Sequence, residues 1–231
     1  MTVGELFAGI GGIGLGLERA GFTVKWAVEN DSYACNVYRK NFPDVQVVEQ
    51  DVTTIDFELL ETVDLLTGGF PCQDLSYAGK GAGIEGSRSG LWKEFGRAIC
   101  ENRPSLVLVE NVPALLSRGL GVVLGDLASF GYNAEWDCIP AALIGAPHKR
   151  DRVFIVADLN IGGVEGAWPK QQTARIDKSL GDYWRATKPP VCRVSYGISN
   201  RVDRIRCLGN AVVPQVAEYV GRRIMATYGA R

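Results

Sequence analysis

The sequence predicts an α/β fold: an open, mostly parallel twisted sheet with helices on both faces and a small irregular lobe near the C-terminal end. Three observations carry this prediction. Short apolar runs alternate with helix-periodic segments through residue 158, the signature of strands joined by crossover helices. A glycine-rich turn follows the first run and opens a helix. Residues 159–203 lack periodicity and mix Gly, Pro, Trp, Tyr and basic side chains.

The elements follow in order. "TVGELFAG" reads as a strand and "GIGLGLERAG" as a helix ending at Gly21; "FTVKWAVE" is the second strand. "DSYACNVYRKNF" is a helix, with Asp31 supplying the side-chain oxygen that an N-cap requires. "VQVVE" and "VDLLT" are strands, and Pro104 stops the helix "SGLWKEFGRAICENR". "SLVLVE" is a strand leading into "NVPALL" and a helix near 120–130. "YNAEWDCI" and "RVFIVAD" are two further strands, antiparallel at the sheet edge, and "VPQVAEYVGRRIMATYG" is the last helix. The domains expected are a catalytic body over 1–158, a reduced lobe over 159–203, and a C-terminal segment over 204–231 that packs back on the body.

With 231 residues, 46% hydrophobic and 22% charged, the chain can build one core without metal or disulfide. The N-terminal stretch is apolar, but Glu5, Glu18 and Arg19 interrupt it before a membrane span is reached. The six cysteines form no CxxC pair and His148 is the single histidine, so no metal site is expected and the thiols read as reduced. The expected location is the cytoplasm. The net charge of −1 hides an asymmetry: residues 1–144 carry 10 Lys and Arg against 19 Asp and Glu, whereas 145–231 carry 15 against 7. A basic face for a polyanion and a chance spread of solvated charge both fit this division.

Gly9-Ile10-Gly11-Gly12-Ile13-Gly14 is a full G-x-G-x-x-G between a strand and a helix. Such glycines permit a tight turn and close approach of a nucleotide, or of another backbone. Glu29 lies at the tip of the second strand, where a carboxylate can accept from both ribose hydroxyls. Asp51 follows the third strand and can accept from an adenine amino group. The motif leaves NAD and S-adenosylmethionine both open.

"LLTGGFPCQDLS" places Cys72 just past a strand, in a glycine-proline turn. In open sheets ligands bind beyond the carboxyl ends of the strands, so Cys72 and Glu110 can both face the nucleotide. Cys72 reads as a nucleophile or as a buried structural thiol; Glu110 reads as its partner or as a helix N-cap. Arg150 and Arg152 are the cations available to raise the thiolate fraction.

The chain resembles the cytosine-C5 DNA methyltransferases. The matching stretches are "ELFAGIGG", "VENDSYA", "DVT", "GGFPCQDLS", "SRSGLW", "ENVPAL", "GAPHKRDRVFIV" and "LGNAVVPQ", in the family's order over residues 5–215. The resemblance implies the Rossmann-like fold of S-adenosylmethionine-dependent enzymes and methyl transfer to cytosine C5 in double-stranded DNA. It implies catalytic roles for Cys72, Glu110, Arg152 and Arg150. It implies a cofactor site from Phe7, Ala8, Gly9 and Gly11; Glu29 and Asn30; Asp51 and Val52; Pro71 and Leu91; and Asn210, Ala211 and Val212. Without the resemblance Asn210 reads equally as a helix cap. The target base must be flipped out of the duplex, and the glycine-rich loop 76–90, with Lys80 and Arg88, suits closure over DNA.

The sequence departs from the family at His148, where glutamine is usual, and at Gly86, where aspartate is usual. The target-recognition region is reduced to 159–203, and no helix is legible before "GNAV". Trp168, Lys170, Gln171, Gln172, Arg175, Tyr183, Trp184, Arg185, Lys188 and Arg193 are the candidates for DNA contact, so a short target or weak specificity is expected. This economy suits a phage-type or orphan enzyme, monomeric and nucleoid-associated, better than one paired with a restriction enzyme. RNA cytosine methylation and a non-catalytic DNA-binding scaffold are the alternatives, and a dehydrogenase leaves Pro-Cys-Gln and Glu-Asn-Val unexplained.

Overall fold

The computed structural model describes residues 1–71, 90–159 and 201–229. Cys72, Gly86, the loop cations Lys80 and Arg88, and the DNA-contact candidates from Trp168 to Arg193 lie outside the described residues.

Seven strands form one sheet: β1 (Thr2–Leu6), β2 (Thr23–Glu29), β3 (Gln46–Glu49), β4 (Leu65–Gly68), β5 (Leu106–Asn111), β6 (Asn133–Pro140) and β7 (Asp151–Asp158). Their order is β3-β2-β1-β4-β5-β7-β6. Strands β1 to β5 are parallel, while β7 runs antiparallel to both β5 and β6. The expected α/β class and the antiparallel edge are therefore both present. The chain winds outward from β1 to β3, then returns to β4 on the other side of β1. This reversal opens a crevice past the ends of β1 and β4, where such sheets bind ligands.

Helices α1 (Gly12–Arg19), α2 (Ser32–Asn41), α3 (Leu91–Asn102), α4 (Leu115–Arg118), α5 (Leu120–Ser129) and α7 (Pro214–Tyr228) contribute buried residues to the cores beside the sheet, and α6 (Arg201–Asn210) precedes α7. Asp31 caps α2 as the sequence predicts, accepting from the Ala34 amide at 2.9 Å. The alternation of β5 explains its continuous apolar run. Leu106 and Leu108 enter the core under α1 and α7, and Val107 and Val109 enter the core under α3 and α5. Each such side chain contributes about 1.5–3 kcal/mol on burial, so the register of this central strand is strongly fixed. Trp26 is fully buried and lies against Gly4, where a Cβ would come within 2.2 Å of its ring.

One expectation is corrected. A helix does precede Ala211: α6 spans Arg201–Asn210. Val202, Ile205 and Leu208 sit three residues apart on it but are 79%, 58% and 66% exposed, so its apolar stripe is not part of the described core. Among the described residues no helix is long and apolar enough to cross a membrane, and no cluster of His, Cys, Asp or Glu could hold a metal ion.

Candidate active site

A cavity of about 500 Å³ opens at the crevice between β1 and β4. It is built first from the turn after β1. Phe7 takes φ 52°, Gly9 φ 56° and Gly11 φ 84°, left-handed conformations that favour glycine. The Gly11 amide closes on the Ala8 carbonyl at 2.9 Å. Glu29, at the end of β2, accepts from the Gly9 amide at 2.8 Å and from the Asn30 and Asp31 amides at 2.9 Å. Phe7, Ala8, Gly9, Glu29 and Asn30 all line the cavity, whereas Gly11 lines a neighbouring cavity behind the turn.

The third strand supplies the next wall. Asp51 accepts from the Thr53 amide at 2.9 Å and from its hydroxyl at 2.8 Å, and these bonds hold its carboxyl below the usual range. Both fall on Oδ1. Val52 beside it is buried. Arg97 on α3 braces this turn by donating to the Val52 carbonyl at 2.8 Å and the Ile55 carbonyl at 2.7 Å. Glu94 and Glu101 hold its guanidinium in place. Arg97 is a residue that sequence reasoning missed; the spacing Glu94-x-x-Arg97-x-x-x-Glu101 was the available signal.

The segment after β4 forms the reaction side. Gly69 is required because a Cβ there would lie 2.5 Å from Glu110 Oε2. Phe70 is buried against Trp92, with ring centroids 5.4 Å apart, and its carbonyl accepts from Asn111 Nδ2 at 3.3 Å. Pro71 and Leu91 line the cavity. The chain thus delivers Pro71, the residue before Cys72, to the same cavity that Glu110 lines.

Glu110 belongs to β5 rather than to a helix N-terminus. Its Oε1 pairs with Arg152 Nε at 2.8 Å, both side chains being largely buried. Burial pushes the Glu110 carboxyl up to about 7, and Arg152 and Arg150 pull in the opposite direction without cancelling it. The pair depends on topology. Because β7 is antiparallel to β5, the start of β7 meets the end of β5, with Glu110 opposite Phe154.

Arg150 is placed differently. It precedes β7 with φ 37° and donates to the Gly209 carbonyl at 2.7 Å and the Ala211 carbonyl at 2.6 Å. It clamps the C-terminal end of α6 and the residue that follows it, where Asn210, Ala211 and Val212 line the cavity. Asn210 ends α6, and the N-cap of α7 is Val213, so Asn210 does not cap α7. Arg206 pairs with Asp31 and lines the cavity; nothing in the sequence pointed to this ion pair. His148 is exposed and lines the neighbouring cavity.

Taken together, carboxylates at and just past the ends of β2 and β3, apolar walls and an aromatic ring can accept hydrogen bonds from hydroxyl and amino donors and pack on a flat ring.

Comparison with known proteins extends this geometry. The profile of the C-5 cytosine-specific DNA methylase family matches residues 1–191. The chain is 45% identical over 176 residues to the type II methyltransferase M.Eco47II of Escherichia coli, covering 73% of this chain and 42% of that protein. It is 45% identical over 158 residues to M.PspPI of a Psychrobacter species, covering 66% and 38%. The chain therefore spans about two fifths of the length of these curated relatives. Among solved structures, a prophage-encoded E. coli protein described as a DNA modification methyltransferase superposes with TM-score 0.59 at 31% identity, covering 68% of this chain and 46% of that one. DNMT2 of Spodoptera frugiperda, at 20% identity, superposes with TM-score 0.60 over 74% of this chain and 53% of that one, a likeness of fold.

Proposed function

Because the chain belongs to the C-5 cytosine-specific DNA methylase family, we propose that it methylates cytosine at C5 in double-stranded DNA, with S-adenosylmethionine as methyl donor. The observation that carries this reading is the buried Glu110–Arg152 pair on the wall of a cavity that Pro71, the residue before Cys72 in the chain, also lines.

The chemistry follows from these groups. Cytosine C5 is a weak nucleophile. Cys72 thiolate adds to C6, forming a C–S bond and moving the ring electron pair toward N3 and C5. Glu110 receives N3 and the exocyclic amine. With its carboxyl held near 7, a substantial fraction is protonated at neutral pH and can donate to N3 as charge develops there. Arg152 fixes the orientation of Glu110 and stabilises negative charge near the base O2. S-adenosylmethionine, when bound, would supply the electrophilic methyl group; C5 would take it as the methyl–sulfur bond breaks, leaving S-adenosylhomocysteine. Loss of the C5 proton to solvent, return of the N3 proton to Glu110 and departure of the Cys72 sulfur as thiolate restore the aromatic ring and the free enzyme.

Glu29 and Asp51 hold the ribose and adenine, Phe7 packs on the ring, and Asn210 to Val212 close the methionine side. The base reaches this cavity only when flipped from the duplex.

The test is duplex DNA containing 5-fluorocytosine, with the cofactor present. Fluorine cannot leave as a proton does, so a covalent protein–DNA band is expected, absent in Cys72→Ser. A band on RNA alone would move the substrate to RNA. No band on either polymer would overturn the catalytic reading.

A further inference from the structure

The G-x-G-x-x-G turn resembles a phosphate cradle, yet the structure uses its glycines and amides for something else. Glu5 lies in β1 directly beneath the turn, 1% exposed, and lines the cavity. Its Oε1 accepts from the Gly14 amide at 3.3 Å and its Oε2 from the Tyr38 hydroxyl at 2.8 Å. A Cβ on Gly14 would lie 2.7 Å from the Glu5 carboxylate and 2.8 Å from the Tyr38 hydroxyl. The third glycine therefore makes room for a buried carboxyl.

The N-cap of α1 is Gly11, which has no side chain to satisfy the first turn. Glu5 does this from the neighbouring strand, at the amide a serine or aspartate cap would have reached. A helix N-terminus otherwise attracts phosphate through free amides and a positive dipole end. Here the amides of Gly9, Gly11 and Gly14 are taken by Glu29, Ala8 and Glu5. The Val212 backbone covers Gly12, its carbonyl oxygen 2.6 Å from where a Cβ would be.

We infer that Glu5 is a specificity-determining residue of the nucleotide site: it occupies the anion position at the start of α1, so the turn accepts a nucleoside cofactor and rejects one carrying a pyrophosphate. The inference rests on the cavity being the cofactor site proposed above. The groups facing Glu5 are Tyr38 from α2, the Gly14 amide and Glu18 from α1, and Glu29 from the end of β2. Burial, with Glu29 and Glu18, raises its carboxyl to about 7 against the two hydrogen bonds. Rejection of a pyrophosphate should therefore strengthen from pH 6 to pH 8.5 as Glu5 ionises.

The experiment titrates S-adenosylhomocysteine and NAD into the full chain at both pH values and reads the ratio of their dissociation constants. NAD carries constant charge on its pyrophosphate over this range. In the wild type the ratio is expected to exceed 100-fold and to widen at pH 8.5. Glu5→Gln keeps an oxygen for the Gly14 amide and removes the charge; it should narrow the ratio at least fivefold at pH 8.5 and shrink its pH dependence to the share that Glu110, which lines the same cavity and also titrates near 7, contributes. Tyr38→Phe removes a bond that favours the ionised carboxyl, so it should narrow the ratio in the same direction and provides the second variant. An unchanged ratio in either folded variant, at both pH values, overturns the inference. Failure of wild type to bind S-adenosylhomocysteine would instead overturn the proposed cofactor, and tight NAD binding by wild type would overturn both.

Discussion

Replacing Glu110 with glutamine separates the chemistry of the site from its stability. The carboxyl stands at about 7 in the folded chain against an ordinary 4.5. Below pH 4.5 it is neutral in both states and costs nothing. Between 4.5 and 7 the unfolded chain ionises first, so stability falls as pH rises. The loss is complete once the folded carboxyl has ionised, above about pH 8. A shift of this size corresponds to about 3 kcal/mol, or roughly 6–12 °C in Tm for a chain of this length. Glu110→Gln has no carboxyl to ionise, and its side-chain oxygen can still accept from Arg152. Urea denaturation of both proteins from pH 4 to pH 9 should show the difference moving in favour of the variant by about 3 kcal/mol. The Glu5 carboxyl titrates in both proteins and cancels. A difference flat to within about 0.5 kcal/mol would refute the reasoning, because it would mean that Arg152 holds Glu110 ionised throughout. Methyl transfer by the same variant should fall on the order of 10²–10⁴-fold while the protein stays folded.

Three further outcomes are expected. Cys72→Ser should lose the covalent adduct and all turnover yet bind S-adenosylhomocysteine within about twofold of wild type, read by calorimetry. Gly69→Ala must push the Glu110 carboxylate, 2.5 Å from the new Cβ, away from its position; it should destabilise by about 1–3 kcal/mol and reduce methyl transfer more than cofactor affinity. Arg97→Met strips donors from the Val52 and Ile55 carbonyls, at about 1 kcal/mol for each hydrogen bond. Its kinetic signature should be a raised KM for the cofactor with kcat little changed.

Much of this architecture was legible because burial constrains the strands twice. Leu106 to Val109 must be apolar at every position, since both faces of β5 are covered, and such runs are visible in any sequence. The glycine turn was visible for the same reason, though its purpose was not. Spacing alone left NAD and S-adenosylmethionine equal, because nothing local says that Gly14 faces Glu5 and Tyr38, the latter 33 residues from Glu5 in the chain. Helix α6 was missed because its apolar residues, Val202, Ile205 and Leu208, are exposed and set among arginines, so no buried face imposed a period on the surrounding sequence.

The strand–helix alternation, the antiparallel edge, the glycine turn and the motifs that identify the family can all be read along the chain. Each is written in neighbouring residues, where local sterics and burial act directly. Which arginine serves Glu110 is settled by long-range packing. Arg150 and Arg152 are two residues apart, so in a continuous strand both would point to the same face. The strand begins at Asp151, and the left-handed backbone at Arg150 ends the alternation there. Arg152 is left on Glu110, and Arg150 turns to the carbonyls of Gly209 and Ala211. Those carbonyls lie 59 and 61 residues further along the chain, and no local pattern encodes a contact at that distance.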